Sequence, residues 1–79
     1  MDMRVLIGEN VRKVRLKRGL TQERFAEKSG FSQQYLSSSE NGRRNPSIVT
    51  VYELAAALGV SHLELLKPSR RRKNERASR

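Results

Sequence analysis

The stretch TQERFAEKSGFSQQYLSSSENG, residues 21 to 42, constrains the fold of this chain more than any other segment. It predicts two short helices joined by a tight turn. Thr21 is a suitable N-cap for the first helix, Phe25 gives that helix an inward face, and Gly30 can adopt the positive φ that ends it. Ser32 then caps the second helix. Helix pairs joined in this way also occur in proteins that never contact DNA, so the geometry alone does not fix a function.

The second helix of the pair opens on two adjacent glutamines. Each side-chain amide offers a donor and an acceptor at a fixed separation, which matches N7 and N6 of adenine in the DNA major groove. We therefore expect Gln33 and Gln34 to contact base edges. Ser37 and Ser38 lie one turn later on the same side of the helix, and we expect them to contact base edges as well. Two alternatives stay open: Gln33 is also an ordinary polar residue for a first helical turn, and serine hydroxyls suit phosphates as well as bases.

Four further residues are better suited to the DNA backbone, namely Gln22, Asn41, Arg43 and Arg44. Gln22 lies in a first helical turn, where its amide and the free backbone N–H groups can bind a phosphate at the positive end of the helix dipole. The other three follow the second helix and are predicted to reach phosphates, with an ordinary polar loop as the alternative. Tyr35 is expected either to contact a thymine methyl or sugar, or to cover the edge of the core.

Helical start and stop signals recur along the rest of the chain, and little in it suggests a strand. Five helices are predicted, at about residues 4 to 18, 22 to 29, 33 to 41 and 48 to 58, with a short one at the end. The first helix places Ile7, Val11 and Val14 on one face and stops at Gly19. The predicted fold class is therefore all-α.

The last two helices carry most of the remaining apolar residues. The fourth helix, capped by Ser47, is predicted to bury five side chains: Ile48, Val51, Leu54, Ala55 and Leu58. Ser61 and Glu64 have the spacing of a capping box, which predicts the start of the short fifth helix.

The net charge of +9 favours a polyanionic partner, and double-stranded DNA is the leading candidate. Residues 67–79, KPSRRRKNERASR, carry seven Lys/Arg and one Glu, a net of +6, which leaves +3 for residues 1–66. The tail has almost no apolar residues, so it cannot bury enough surface to offset its ordering entropy, and we expect it to be disordered. It is either a solubilising tail or an arm that follows DNA phosphates or enters a minor groove.

Composition argues against several other classes of protein. The chain has no cysteine and one histidine, His62, without clustered carboxylates, so the spacing of metal ligands or of a catalytic triad is missing. No apolar run is long enough to span a bilayer, and no signal peptide is recognisable. We expect no enzymatic activity, no cofactor, no metal, no membrane association and a cytoplasmic location, associated with the nucleoid in a prokaryotic or phage setting.

From about residue 7 to residue 66 the chain resembles helix-turn-helix domains of the phage repressor and Cro type, also called the xenobiotic-response-element (XRE) type. The segments that carry the resemblance are Ile7–Arg15, Leu20–Gln22, Phe25–Ala26, Gly30–Ser32, Leu36, Glu40–Gly42, Pro46–Ser47 and Leu54–Ser61. The resemblance implies a compact five-helix, lambda-repressor-like domain over residues 1–66, followed by the basic tail. Its motif would span about residues 21–42, with residues 33–41 as the recognition helix in the major groove.

The resemblance also implies roles for residues that do not touch bases. Glu40 lies on a helix that faces a polyanion, so its carboxylate needs a partner, and the resemblance suggests Arg15 in a clamp between the first and third helices. Direct contact of Arg15 with a DNA phosphate is the alternative. Ser39 departs from the pattern, because relatives usually have a bulky apolar residue there. We therefore expect the third helix to be held less firmly than usual.

A lone half-site reader of this size would bind weakly, and the chain ends without the further domain that many repressors append. We therefore expect a homodimer on an inverted repeat, with Leu63, Leu65 and Leu66 as the dimer seam or, alternatively, as core residues. The predicted function is a sequence-specific, dimeric transcription repressor, similar to controller proteins of restriction-modification systems and to minimal phage or plasmid repressors. The alternative is a protein-binding module such as an antitoxin, with DNA binding secondary.

Overall fold

Five α-helices make up the part of the chain that the computed structural model describes, residues 2–68. They are α1 (Met3–Lys17), α2 (Gln22–Ser29), α3 (Gln33–Glu40), α4 (Ile48–Leu58) and α5 (Leu63–Leu66). The predicted all-α fold is confirmed, and the predicted helix bounds agree to within about one residue. The basic tail lies outside the described residues except for Lys67 and Pro68. Within residues 2–68 no helix has both the length and the apolar composition that a membrane crossing requires.

Side-chain caps fix the start of the first four helices. The predicted caps are formed at Thr21, Ser32 and Ser47, each of which accepts a hydrogen bond from the backbone N–H three residues later, at 3.0–3.1 Å. Asp2 caps α1 by accepting a 2.9 Å hydrogen bond from the backbone N–H of Arg4, two residues later. Hydrogen bonds from the Arg4 side chain lower the pKa of the Asp2 carboxyl. The first four helices therefore begin where short-range chemistry directs them.

The start of α5 differs from the prediction. The helix begins at Leu63, so His62 rather than Ser61 is its N-cap, and His62 makes no side-chain cap bond. The Ser61 hydroxyl accepts from the backbone N–H of Leu63 at 3.1 Å, and the Glu64 carboxylate pairs with Lys67 at 3.4 Å. The capping box predicted for Ser61 and Glu64 is wrong, because the helix starts one residue later than that motif requires.

One core collects residues from all five helices. Its buried members are Ile7, Val11, Phe25, Leu36, Val51, Leu54, Ala55, Leu58 and Leu65. The prediction that Ile48 is buried is wrong, because that side chain is 64% exposed and its neighbour Val49 is 61% exposed. The first turn of α4 extends past the core, and helical spacing alone does not show where neighbouring helices end.

The helix α1 organises the fold, because it packs against α3, α4 and α5. Gly8 is the point of closest approach to α3, since a Cβ at that position would overlap the backbone carbonyl oxygen of Ser39. Ser39 is itself buried. Its small side chain therefore stands beside a close approach of two backbones, at the position where relatives usually have a bulky apolar residue. That α3 is held less firmly than usual stays a prediction.

A buried asparagine ties α1 to the other end of the chain. The Asn10 amide donates to the carbonyl oxygens of Leu65 at 2.9 Å and of Lys67 at 2.7 Å. These two bonds satisfy carbonyls at the C-terminal end of α5, a helix too short to be stable alone.

Candidate nucleic-acid interface

The outward side of α3 brings together the four residues predicted to contact bases. Gln33 and Gln34 are exposed, and Ser37 and Ser38 are half-buried one turn further along. We call these four residues the outer face of α3. The buried residues of the helix, Leu36, Ser39 and Glu40, lie on the other side. Within residues 2–68 no hydrogen bond engages either glutamine amide, so both keep their donors and acceptors for an outside partner.

A buried ion pair holds α3 in place from behind. The Arg15 guanidinium donates to the Glu40 carboxylate twice, from Nε to Oε2 at 2.7 Å and from Nη2 to Oε1 at 3.1 Å. The two side chains are only 9% and 4% exposed. A third donor, Arg15 Nη1, binds the carbonyl oxygen of Leu20 at 2.7 Å, just before α2. The ion pair expected from the resemblance is formed, and it joins α1, the start of α2 and the end of α3.

Gln22 takes part in this network, which sequence reasoning did not anticipate. Its side-chain amide donates to Oε1 of Glu40 at 3.1 Å, so one of its two N–H groups is used inside the protein. The assignment of Gln22 to a phosphate stays a prediction. It now rests on the remaining amide N–H and on the backbone N–H groups at the start of α2.

A groove of about 610 Å³ runs between α1, the start of α2 and the end of α3. Arg12 and Lys13 of α1 line it together with Gln22 and Asn41, and all but the half-buried Gln22 are exposed. Asn41 also donates from Nδ2 to the carbonyl oxygen of Ser37 at 3.0 Å. The groove thus places two of the predicted phosphate contacts, Gln22 and Asn41, beside the exposed cations Arg12 and Lys13 of α1.

The other two predicted phosphate contacts, Arg43 and Arg44, are exposed in the segment between α3 and α4. Arg44 does not stand alone, because its guanidinium carbon lies 4.9 Å from the centre of the Tyr35 ring. Tyr35 in turn stacks on Phe31, with ring centroids 5.1 Å apart and an interplanar angle of 19°. Both aromatic side chains pack against the core. This favours the core-edge alternative for Tyr35.

The predicted dimer seam needs correction at one position. Leu65 is fully buried within its own chain, so it presents no surface to a partner, and Leu66 is half-buried against the core. Leu63 is 59% exposed. The fifth helix is so short that sequence could not show which leucine faces inward.

Sequence reasoning missed an exposed apolar surface next to Leu63. Ile48, Val49 and Tyr52 of α4 are 60–64% exposed. The Tyr52 ring lies 6.0 Å from the ring of His62, which places the exposed side of α4 beside α5. We call Ile48, Val49, Tyr52 and Leu63 the α4–α5 surface. The i, i+4 spacing of Ile48 and Tyr52 was a signal that could have indicated it.

Groups that could bind a metal are not clustered in the described part of the chain. Between residues 2 and 68 no set of three or more His, Cys, Asp or Glu side chains lies close enough to hold a metal ion. The outer face of α3 and its surroundings offer amide, hydroxyl and guanidinium groups, which suit hydrogen bonding to DNA.

Comparison with known proteins gives matches over most of the chain. The family model Helix-turn-helix (HTH_3) matches residues 11–65. An uncharacterized HTH-type transcriptional regulator, y4dJ, of Sinorhizobium fredii is 62% identical over 69 residues, which cover 87% of this chain and 90% of the relative. The crystal structure of the hypothetical transcription factor NHTF from Neisseria has a TM-score of 0.82 at 34% identity, over 92% of this chain and 84% of that one. The restriction-modification controller protein C.AhdI from Aeromonas hydrophila has a TM-score of 0.74 at 39% identity, over 78% and 94% of the two chains.

Proposed function

The chain belongs to the helix-turn-helix family HTH_3 and is a DNA-binding transcription regulator, and we propose that it acts as a homodimeric, sequence-specific repressor on an inverted repeat. One observation carries this proposal. The outer face of α3 exposes two glutamine amides that form no hydrogen bond within residues 2–68, on a helix that a buried ion pair holds from behind.

The arrangement of the outer face suits direct readout of bases. Because Arg15 and Glu40 fix α3 against α1, the amides of Gln33 and Gln34 enter a major groove from a rigid support. A side-chain amide that pairs with adenine N6 and N7 contributes roughly 1–3 kcal/mol of discrimination against the wrong base. We assign these two residues to adenines in each half-site, with Ser37 and Ser38 at neighbouring base edges.

Contacts to the DNA backbone would set the register of α3 in the groove. The groove between α1 and α3 offers Gln22 and Asn41 with the exposed cations Arg12 and Lys13. Arg43 and Arg44 extend the set beyond the end of α3. We propose that these residues bind phosphates and thereby position the glutamines.

The distribution of charge supports a second copy of this chain as the partner at the α4–α5 surface. Residues 45–66 contain no lysine or arginine and two carboxylates, Glu53 and Glu64, although the whole chain carries +9. Most lysines and arginines of the described residues lie in α1 and in the segment between α3 and α4, so two copies that met there would bring cations together. At the α4–α5 surface they bury exposed apolar side chains without that repulsion.

This surface also lies away from the DNA-facing side. In the described residues α3 packs mainly on α1 and α2, whereas α4 and α5 pack on α1, α2 and each other. A dimer formed through Ile48, Tyr52 and Leu63 therefore leaves both outer faces of α3 free. Two such faces fit half-sites about one helical turn, or roughly 34 Å, apart.

Repression follows in the simplest case, because a dimer bound across a promoter excludes polymerase without any further activity. The antitoxin-like alternative is not favoured, since the relatives are transcription regulators and a restriction-modification controller protein. We propose no catalytic role for the chain.

Selection from a pool of random DNA duplexes tests the proposal. We expect enrichment of a site with two-fold symmetry, with adenines in each half-site and half-sites about one turn apart. Placed so that it overlaps the promoter of a reporter gene, that site should lower expression when the protein is present. Enrichment of a single asymmetric half-site would overturn the dimer, and a pool without enrichment would overturn sequence-specific binding.

A further inference from the structure

An aromatic stack connects the α3–α4 segment to the first turn of α3. Phe31 precedes the N-cap of α3, Tyr35 is the third residue of the helix, and Arg44 lies beyond its end. The Arg44 guanidinium is 4.9 Å from the Tyr35 ring centre, within the range of a cation–π contact. The chain therefore folds back after α3, so that a residue beyond the C-terminal end of the helix lies beside its N-terminal turn.

Tyr35 and Glu40 lie on different flanks of the outer face of α3. With 100° between successive helical residues, Gln33 and Gln34 fall between these two positions around the helix. The ion pair and Gln22 therefore support one flank, and Arg44 stands on the other. A helix in a major groove has a phosphate backbone on each side, and Arg44 faces the side that the groove between α1 and α3 does not serve.

Arg44 is suited to a phosphate only if it is held in place. Its side chain is exposed, and in the described residues its guanidinium has no carboxylate partner. A free arginine loses much rotamer entropy when it binds, whereas one already held over a ring loses less. A guanidinium over an aromatic ring also keeps its N–H donors for a bidentate bond to phosphate.

We propose that Tyr35 is a positioning residue for DNA binding: its ring holds Arg44 beside the first turn of α3, where Arg44 binds a phosphate that flanks the bases contacted by Gln33 and Gln34. Tyr35 itself touches no DNA. This inference rests on the proposed function, because it concerns the same interface. It assigns a role to the ring of Tyr35 that neither its sequence position nor its burial reveals.

A double-mutant cycle on the selected operator tests the inference by fluorescence anisotropy at several salt concentrations. The variants are Tyr35→Leu, which removes the ring but keeps an apolar side chain, Arg44→Ala, and the two combined. We expect Tyr35→Leu to weaken binding about three- to tenfold and to reduce the salt slope towards that of Arg44→Ala, which loses about 0.9 of a unit for one phosphate contact. The combined variant should bind no more weakly than Arg44→Ala.

Arg43 provides a matched control, because it is the adjacent exposed arginine without an aromatic partner. In the double variant of Tyr35→Leu and Arg43→Ala, the fold losses of DNA affinity should multiply. In the double variant of Tyr35→Leu and Arg44→Ala they should not. Multiplicative losses for Tyr35 and Arg44 would overturn the inference, because the two residues would then act independently.

Tyr35→Phe separates positioning from direct contact. It keeps the ring and loses only the hydroxyl, so we expect wild-type affinity and salt slope. If Tyr35→Phe bound as weakly as Arg44→Ala, the hydroxyl would be a DNA contact and the inference would fail. This variant keeps the inference open to contradiction even if Tyr35→Leu melts below the assay temperature. Should the wild-type protein show no preference for its selected site, the proposed function itself would fail, which is a different outcome.

Discussion

Arg15 and Glu40 form an ion pair with two hydrogen bonds, and it is almost completely buried between α1 and α3. Burying two charges is costly, and their mutual attraction only partly offsets that cost. The pair therefore matters chiefly for where it places α3. Removing one partner leaves the other charge buried and unpaired, so the substitution of either residue strongly lowers the free energy of unfolding.

Glu40→Gln should destabilise the protein strongly. The substitution keeps the size of the side chain but leaves the Arg15 charge uncompensated, which costs about 3 kcal/mol or more of unfolding free energy. For a chain of this length that lowers Tm by roughly 10 °C or more in thermal denaturation followed by circular dichroism. Glu53→Gln, which alters an exposed carboxylate on α4, is the matched control and should leave Tm nearly unchanged. Equal melting of the two variants would contradict the role of the clamp.

Gly8→Ala should also destabilise, although helix propensity predicts the opposite. Alanine is favoured over glycine inside a helix by roughly 1 kcal/mol. At Gly8, however, the new Cβ would overlap the Ser39 carbonyl and push α1 from α3. Ala56→Gly, at an exposed position of α4, calibrates the propensity effect by urea denaturation. A stabilised Gly8→Ala protein would show that the two helices have room to separate at no cost.

Asn10→Ala should loosen the C-terminal end of the fold. It leaves the carbonyl groups of Leu65 and Lys67 without their donor, at a cost of about 1–3 kcal/mol. Asn10→Asp should be worse, because a carboxylate would face two carbonyl oxygens. Amide hydrogen exchange of Asn10→Ala should be faster than in the wild type in α5, and this increase should be larger in α5 than in α3. Exchange in α5 at the wild-type rate would mean that Leu65 alone anchors the helix.

The dimer is tested by Ile48→Lys, which adds a cation to the α4–α5 surface, whose own segment, residues 45–66, contains no lysine or arginine. Ile48 is 64% exposed, so the monomer should keep its fold, while two copies would now repel each other across the seam. We expect the dimer Kd from sedimentation equilibrium to rise about tenfold or more. Leu16→Lys makes the same chemical change at a 53% exposed leucine of α1 and should not alter it. Equal effects of the two substitutions on the dimer Kd would place the dimer interface elsewhere.

The first four helices could be predicted to within about one residue because the signals that start and stop them are local. Thr21, Ser32 and Ser47 cap helices through hydrogen bonds within three residues, so the sequence near each cap is sufficient. The ion pair joins residues 25 positions apart. It was predicted from the resemblance to a family and not from the spacing of the residues.

The features that escaped prediction depend on where distant elements meet. Asn10 looks like a polar surface residue of a helix until α5, 55 residues away, is placed beside it. Ile48 matches the apolar period of α4, yet its side chain is 64% exposed. Leu65 differs from Leu63 only in the direction that packing imposes on a four-residue helix. In each case tertiary contacts decided the outcome.

The central claim is that the two glutamines on α3 specify the DNA sequence. Fluorescence anisotropy should compare the protein with its Gln33→Ala/Gln34→Ala variant on DNA from upstream of its own gene and on a scrambled duplex, at two salt concentrations. We predict that the wild type prefers the upstream DNA by about a thousandfold or more, and that the variant loses this preference while keeping the salt-dependent binding. Equal, steeply salt-dependent binding of the wild type to both duplexes would contradict the claim, because phosphate contacts alone would then account for the binding.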